Sequence, residues 1–145
     1  GAGAGYGYGY GDGAGDGAGS GAGDGYWLAA IASFATSWTS ASQSRLRVAQ
    51  QSGAVIAYWR SDVDGRPCNG GSGGPARAGL MESIPGPLAL CGRRALHATL
   101  EPVAWKGTRT WIVALHDAVE RDGNKLGALR REIIDEAQGG SYDGQ

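Results

Sequence analysis

The chain has 145 residues, of which 28 are glycine, with 13 basic and 14 acidic side chains. That length supports one small domain, and the near balance of charge argues against a dedicated nucleic-acid-binding protein, which normally carries a basic excess. Two cysteines are too few for a disulfide scaffold, and no apolar run reaches the roughly 18 residues of a membrane-spanning helix. Composition thus predicts one small domain without a membrane span. No cofactor is predicted from the sequence, and the compartment stays unassigned.

Glycine occupies every odd position from 1 to 25 in the first 26 residues, GAGAGYGYGYGDGAGDGAGSGAGDGY, which we call the Gly-X arm. A period of two excludes the collagen repeat and matches an extended strand with one bare glycine face. The start GAGAGY resembles the repeats of silk fibroin, which favours stacking into sheets. The entropy that glycine loses on ordering and the apposition of Asp12, Asp16 and Asp24 in an in-register stack favour disorder. Both alternatives stay open.

An apolar stripe at helical spacing follows the arm and predicts an N-terminal helix; its members are Trp27, Ile31, Phe34 and Trp38. Residues 45–52 (RLRVAQQS) are also compatible with a helix, and Gly53 is a typical C-terminal stop. The sequence therefore predicts helical structure at the start of the domain.

Strands are predicted further along the chain. Residues 54–60 (AVIAYWR) are rich in β-branched and aromatic side chains, whereas 62–79 consist almost entirely of turn-forming residues. Residues 109–116 (RTWIVALH) are apolar on both faces, which predicts a buried central strand. After turn residues at 121–124, the segment 125–136 fits a helix by one periodicity and a strand paired back onto 109–116 by the other, so its state stays open.

Four stretches carry a resemblance to a known family: WRSDVDGRPCNGG (59–71), ALHAT (95–99), WKGTRTWIVALH (105–116) and KLGALRREII (125–134). They resemble a family of uncharacterised proteins from bacteriophages and environmental bacteria, in which a long Gly-X tract precedes a small tryptophan-containing domain. The resemblance covers nearly the whole chain but implies no activity. This chain departs from the family in the arm, where Gly-Ala is prominent in place of Gly-Tyr and Gly-Asp. In the family the last of the four stretches looks like a strand.

The soft metal ligands of the chain are Cys68, Cys91, His97 and His116, and four ligands are what a structural zinc site needs. No pair shows the C-x2-C or H-x3-H spacing of such sites, so no metal site is predicted. The favoured interpretation is that the cysteines are small, half-buried hydrophobic residues or a disulfide. A Cys–His nucleophilic pair is a further alternative, although nothing in the sequence forces that contact.

The glycine-rich segment NGGSGGPARAG (69–79) is a candidate anion-binding loop. Backbone N–H groups at Gly70 and Gly71 could hold a phosphate, with Arg66 and Arg77 on either side. The segment lacks the GK[ST] ending of a P-loop, and an ordinary surface loop is the favoured interpretation.

The segment ALHAT resembles the nicotinamide-contacting motif of ADP-ribosyltransferase-like folds. That resemblance implies that His97 orients the ribose of NAD and that Glu132 or Glu136 activates the acceptor. The tyrosine or serine strand expected between them is not identifiable, and a structural histidine near a strand start is favoured. The arginine pairs 93–94 and 130–131 are predicted to be solvated surface.

The sequence as a whole predicts an α+β fold. One small domain, residues 27–136, would lie between the Gly-X arm and a flexible tail, 137–145, and an N-terminal helix would pack on a short, mainly antiparallel sheet. The leading hypothesis for function is a structural or interaction module in which residues 1–26 mediate self-association or tethering. The alternative is a small NAD- or nucleotide-utilising enzyme centred on His97.

Overall fold

The computed structural model describes residues 21–69, 75–90 and 94–137. These residues form a mixed α+β fold in which two helices precede a small barrel-like sheet. In chain order the elements are α1 (Gly21–Ala35), α2 (Ser40–Gln51), β1 (Val55–Ser61), β2 (Met81–Ser83), β3 (Leu96–Thr99), a 3-10 helix (Pro102–Ala104), β4 (Arg109–Asp122) and β5 (Lys125–Glu136). Residues 1–20, and with them most of the Gly-X arm, lie outside the described part of the chain.

Both predicted helical regions are helices, but α1 begins earlier than its apolar stripe. It starts at Gly21, inside the Gly-X arm, instead of at Trp27. Extending a helix that is already docked costs less than nucleating one, even through glycine. Helix α2 starts after Thr39, whose side chain accepts a hydrogen bond from the Ser42 backbone N–H at 3.2 Å. Among the described residues, no helix has the length and hydropathy needed to cross a membrane.

The apolar stripe of α1 packs on the sheet. Phe34 is fully buried and meets the Tyr58 ring edge to face, with ring centroids 6.4 Å apart. Trp27 makes a similar T-shaped contact with Tyr58, whose hydroxyl donates a hydrogen bond to the Trp27 carbonyl. Trp38, just beyond the helix end, is buried and its indole N–H donates to the carbonyl of Glu136 at 2.9 Å. These contacts fix α1 and the residues that follow it to strands β1 and β5.

The sheet has the order β2-β5-β3-β1-β4, and β4 also pairs with β5, which closes four strands on themselves. All of these pairings are antiparallel. The longest strand pairing is the β4–β5 hairpin, which runs from the pair Asp122–Lys125 to the pair Trp111–Glu136. Two irregularities interrupt its register, and Asp117, at the second, has φ +67°. Such bulges bend long strands, which lets one hairpin reach both β1 and β3.

The segment 125–136 is therefore a strand, and the helical alternative is wrong. Alternation along β5 sends Ile133 into the space enclosed by the sheet, which we call the sheet interior, and sends Ile134 toward the helices. Both residues are fully buried. Because packing on two faces satisfies both, tertiary contacts override the helical periodicity of the isolated segment.

The buried side chains form two clusters on opposite faces of the sheet. The cluster of the sheet interior contains Ala57, Trp59, Ala98, Leu100, Trp111, Val113, Leu115, Leu126, Ala128 and Ile133. The cluster between sheet and helices contains Ala30, Ile31, Phe34, Trp38, Leu46, Ala49, Tyr58, Ile112, Ala114, Ile134 and Ala137. Strand β4 contributes to both, as its sequence predicts for a central strand.

Candidate functional site

His97, the centre of the enzymatic hypothesis, is buried within β3, with 1% of its surface exposed. Its Nε2 lies 2.5 Å from the carbonyl oxygen of Leu90. Because a carbonyl oxygen only accepts hydrogen bonds, Nε2 is protonated and donates a hydrogen bond to the Leu90 carbonyl. Across the strand pair is Gly127, where a Cβ would come within 2.7 Å of Leu90 Cδ1. His97 thus ties Leu90, in the segment before β3, to β3, and the Leu90 side chain lies against Gly127 of β5.

The structure does not bring the two candidate glutamates to His97. Glu132 and Glu136 lie five and nine residues along β5 from Gly127, the residue paired with His97. At a rise of about 3.3 Å per residue, they are roughly 16 and 30 Å away along the strand. The constellation implied by the ADP-ribosyltransferase resemblance is therefore not assembled.

Each of those glutamates has a basic partner on β4. Glu132 Oε1 lies 3.0 Å from His116 Nε2, and both side chains are largely buried. Glu136 accepts two hydrogen bonds from the guanidinium of Arg109, at 2.9 and 2.7 Å. The bond to Glu136 raises the pKa of Arg109, against a smaller lowering by burial. These pairs tie β4 to β5.

The most buried charge of the described chain is Arg131, which has no exposed surface. Its Nε and Nη2 donate to Glu82 Oε1 at 3.0 and 2.7 Å, and its Nη1 donates to the carbonyl of His97 at 2.6 Å. The guanidinium also stacks 4.4 Å above the Trp59 ring. Burial lowers the pKa of Arg131, and the Glu82 carboxylate partly offsets this. The pair joins β2, β3 and β5 inside the sheet.

The pair 130–131 is predicted to be solvated surface, and for Arg131 that prediction is wrong. Arginine is rarely buried unless it is paired, and its partner Glu82 lies 49 residues away along the chain. One signal was present: Arg131 lies between Leu129 and Ile133 at strand spacing, which points its side chain the same way as theirs. Only the pairing of β2 with β5 turns that signal into a buried ion pair.

The candidate metal ligands are dispersed where the structure describes them. Cys68 is half-buried, with its Sγ 3.5 Å from the carbonyl oxygen of Lys106, while His97 and His116 belong to the separate contacts given above. Cys91 lies outside the described residues. Within the described ranges, no three His, Cys, Asp or Glu side chains are grouped as a metal site requires.

The candidate anion-binding loop is described only at its two ends. Arg66 and Arg77 are both exposed. Next to each of them in the chain, Ala76 donates its backbone N–H to the Gly65 carbonyl at 2.8 Å, which closes the base of the loop. Residues 70–71, whose backbone was the candidate phosphate cradle, lie outside the described residues. The described ends show a loop closed by backbone hydrogen bonds.

An open groove of about 1330 Å³ lies between the helices and one end of the sheet. Its walls include Leu28 and Ile31 of α1, Leu46 of α2, Val55 of β1 and Leu126 of β5. Leu28 and Val55 are 43% and 37% exposed, although both are large apolar side chains. Recesses with such walls are where proteins most often bind ligands and partners. The sequence did not predict this groove, because its walls come from five separate segments.

The charge of the groove has one sign. Arg47 of α2 and Arg121 of β4 are the charged side chains that line it, and none of its lining residues is acidic. Arg121 donates from Nε to the Gly123 carbonyl at 2.7 Å. Arg47 is exposed and forms no ion pair within the described part of the chain. The arrangement suits an apolar partner that carries negative charge.

Comparison of the chain with protein-family models, with curated proteins and with solved structures finds no significant match. The resemblance to the family of phage and bacterial proteins therefore stays a prediction.

Proposed function

We propose that this chain is a non-enzymatic structural or interaction module in which the Gly-X arm mediates self-association of a small α+β domain. The observation that carries the proposal is the apolar groove beside α1, because α1 is the helix into which the arm continues. The candidate catalytic side chains each have a structural partner: His97 bonds to the Leu90 carbonyl, and Glu132 and Glu136 pair with side chains of β4.

The sheet interior supports this proposal because side chains fill it. Trp59, Trp111, Leu115 and Ile133 are each at most 3% exposed. The indole N–H of Trp111 donates to Ser61 Oγ at 2.9 Å, so even the polar edge of that ring is engaged. In the described part of the chain, a sheet closed over four strands therefore has an interior that its own side chains fill. Recognition is then a matter for the outer surface.

Exposed apolar side chains near the start of α1 also support the proposed function. Tyr26 and Leu28 are 52% and 43% exposed, close to the point where the arm enters the helix. Large apolar side chains exposed beside a recess are typical of interaction sites. The arm itself carries glycine, alanine, tyrosine and acidic residues, a composition suited to extension and contact and poor in catalytic groups.

The test compares the full chain with a chain that starts at Gly21. This boundary keeps α1 whole, whereas a start at residue 27 removes its first six residues. We expect oligomers or filaments from the full chain and monomers from the shortened one, measured by light scattering and negative-stain microscopy. A third chain, with residues 1–20 replaced by alternating Gly-Ser of equal length, controls for length and should be monomeric. Unchanged assembly of the shortened chain would contradict the proposal.

A further inference from the structure

The geometry points to a specific receptor for the arm: the groove between α1, α2 and the sheet end binds the acidic Gly-X arm of a second copy of this chain. In this arrangement Arg47 and Arg121 pair with Asp12 and Asp16. The inference rests on the proposed function, since it names the surface through which the arm assembles the protein.

Shape and polarity form the first argument. The groove is lined mainly by aliphatic side chains, of which Leu28 and Val55 remain well exposed. The arm offers Tyr6, Tyr8 and Tyr10, aromatic side chains of the kind that anchor interfaces by filling apolar pockets. Glycine at each alternate position allows the arm backbone to approach the groove wall closely.

The groove and the arm carry charges of opposite sign. The first 20 residues contain two carboxylates, Asp12 and Asp16, and no basic side chain. The groove contains two guanidinium groups and no carboxylate. Opposite charges on two otherwise apolar surfaces favour this pairing and disfavour wrong partners. Because Arg47 has no ionic partner within the described ranges, pairing with the arm breaks no existing ion pair of that residue.

The point where the arm joins the domain favours a second copy as its source. The arm enters α1 at Gly21, and Leu28, the first residue of the groove wall, lies about two turns further along the helix. An arm that fills its own groove must reverse direction at that junction. Fully extended, 20 residues reach at most about 70 Å, far enough to enter a neighbouring domain. Reciprocal exchange between two copies fills both grooves, and the second docking is then intramolecular.

The test uses two full-length double variants with reversed charge. One carries Arg47→Glu and Arg121→Glu in the groove, and the other carries Asp12→Lys and Asp16→Lys in the arm. Each variant alone should associate at least about tenfold more weakly than the unaltered chain, since attraction becomes repulsion at two positions. An equimolar mixture should recover association as a heterodimer, because each groove then meets an arm of opposite charge. Analytical ultracentrifugation with one variant fluorescently labelled measures both.

The matched control is Arg66→Glu with Arg77→Glu, two exposed arginines that do not line the groove. This control should associate like the unaltered chain. Arg121 also supports the β4–β5 turn, so Arg47→Glu alone is made as well. It should weaken association by about fivefold and leave the urea midpoint unchanged.

The outcomes separate this inference from the proposed function. If removing residues 1–20 abolishes assembly while the groove variants assemble normally, the groove is the wrong receptor and the arm still drives association. If the shortened chain assembles like the full one, both are wrong. If each variant associates more weakly but the mixture forms no heterodimer, pairing between the groove arginines and the arm carboxylates of a second copy is excluded.

Discussion

The sheet interior and the groove use arginine in opposite ways. In the interior, Arg131 has no exposed surface and its guanidinium is bound by Glu82, the His97 carbonyl and the Trp59 ring. In the groove, Arg47 is exposed and has no ionic partner in the described chain. A buried charge must be fully satisfied by the fold that surrounds it. An exposed charge beside apolar walls costs the fold little and is available to a partner.

The largest predicted effect is in the interior. Arg131→Met should lower the free energy of unfolding by about 3–5 kcal/mol, because the largely buried Glu82 carboxylate loses the guanidinium that binds it. Adding Glu82→Met should restore much of that loss, since the double variant buries no charge. Urea denaturation of both single variants and the double variant measures the coupling. A loss below about 0.5 kcal/mol for Arg131→Met would show that the pair does not hold β2 in place.

His97→Ala comes next. We expect a loss of about 2–3 kcal/mol in unfolding free energy, from the cavity and from the lost hydrogen bond to the Leu90 carbonyl. His116→Ala is the control, because the His116 side chain is less buried than that of His97, at 13% exposed, and its loss should cost less, about 1–2 kcal/mol. Full stability of His97→Ala together with loss of binding to NAD or a nucleotide would favour the enzymatic alternative.

A groove substitution should separate assembly from folding. Leu28→Asp should leave the urea midpoint nearly unchanged, because this side chain is 43% exposed, and should weaken self-association by removing an apolar contact. Val103→Asp is the matched control, since Val103 is 63% exposed and does not line the groove. Equal effects of the two substitutions on association would contradict a role for the groove.

The smallest effect concerns pH. A hydrogen bond from Arg130 lowers the pKa of Asp117 below its ordinary 3.8, and the attraction to Arg130 adds to this. A carboxyl group with a depressed pKa stabilises the fold above its unfolded-state pKa, and the contribution is lost as pH falls through the folded-state value. Asp117→Asn should therefore lower the thermal midpoint slightly at pH 6 and not at pH 2. Asparagine also tolerates the φ of +67° at this position.

Local patterns predicted α1, β1 and the first half of β4, because each buries a stripe or a run of apolar side chains. Strand β4 continues to Asp122, beyond the predicted end at His116. Its last six residues are mostly polar and exposed, and their extended conformation depends on pairing with β5. Strand β2 is three residues long and has no periodicity to recognise. It forms because β5 supplies its partner, which no local pattern contains.

The candidate site could be predicted only in part for the same reason. The His and Glu residues of the enzymatic hypothesis were recognisable by type, but their separation on the sheet follows from the register of β3 against β5. The groove is assembled from α1, α2, β1, the segment after β3 and the β4–β5 hairpin. No single stretch of sequence contains enough of the lining residues to predict the groove. The composition of the arm does show that it is acidic and aromatic, and we propose the arm as the ligand of the groove.

The most direct test of the central claim is an NMR titration. The isotopically labelled Asp12→Lys/Asp16→Lys chain, whose own arm should compete only weakly, receives a synthetic peptide of residues 1–20. The account predicts saturable amide shifts at groove residues such as Leu28, Leu46 and Val55, with Leu96–Thr99 unaffected. Shifts centred on β3 and His97, or no shifts at millimolar peptide, would contradict it.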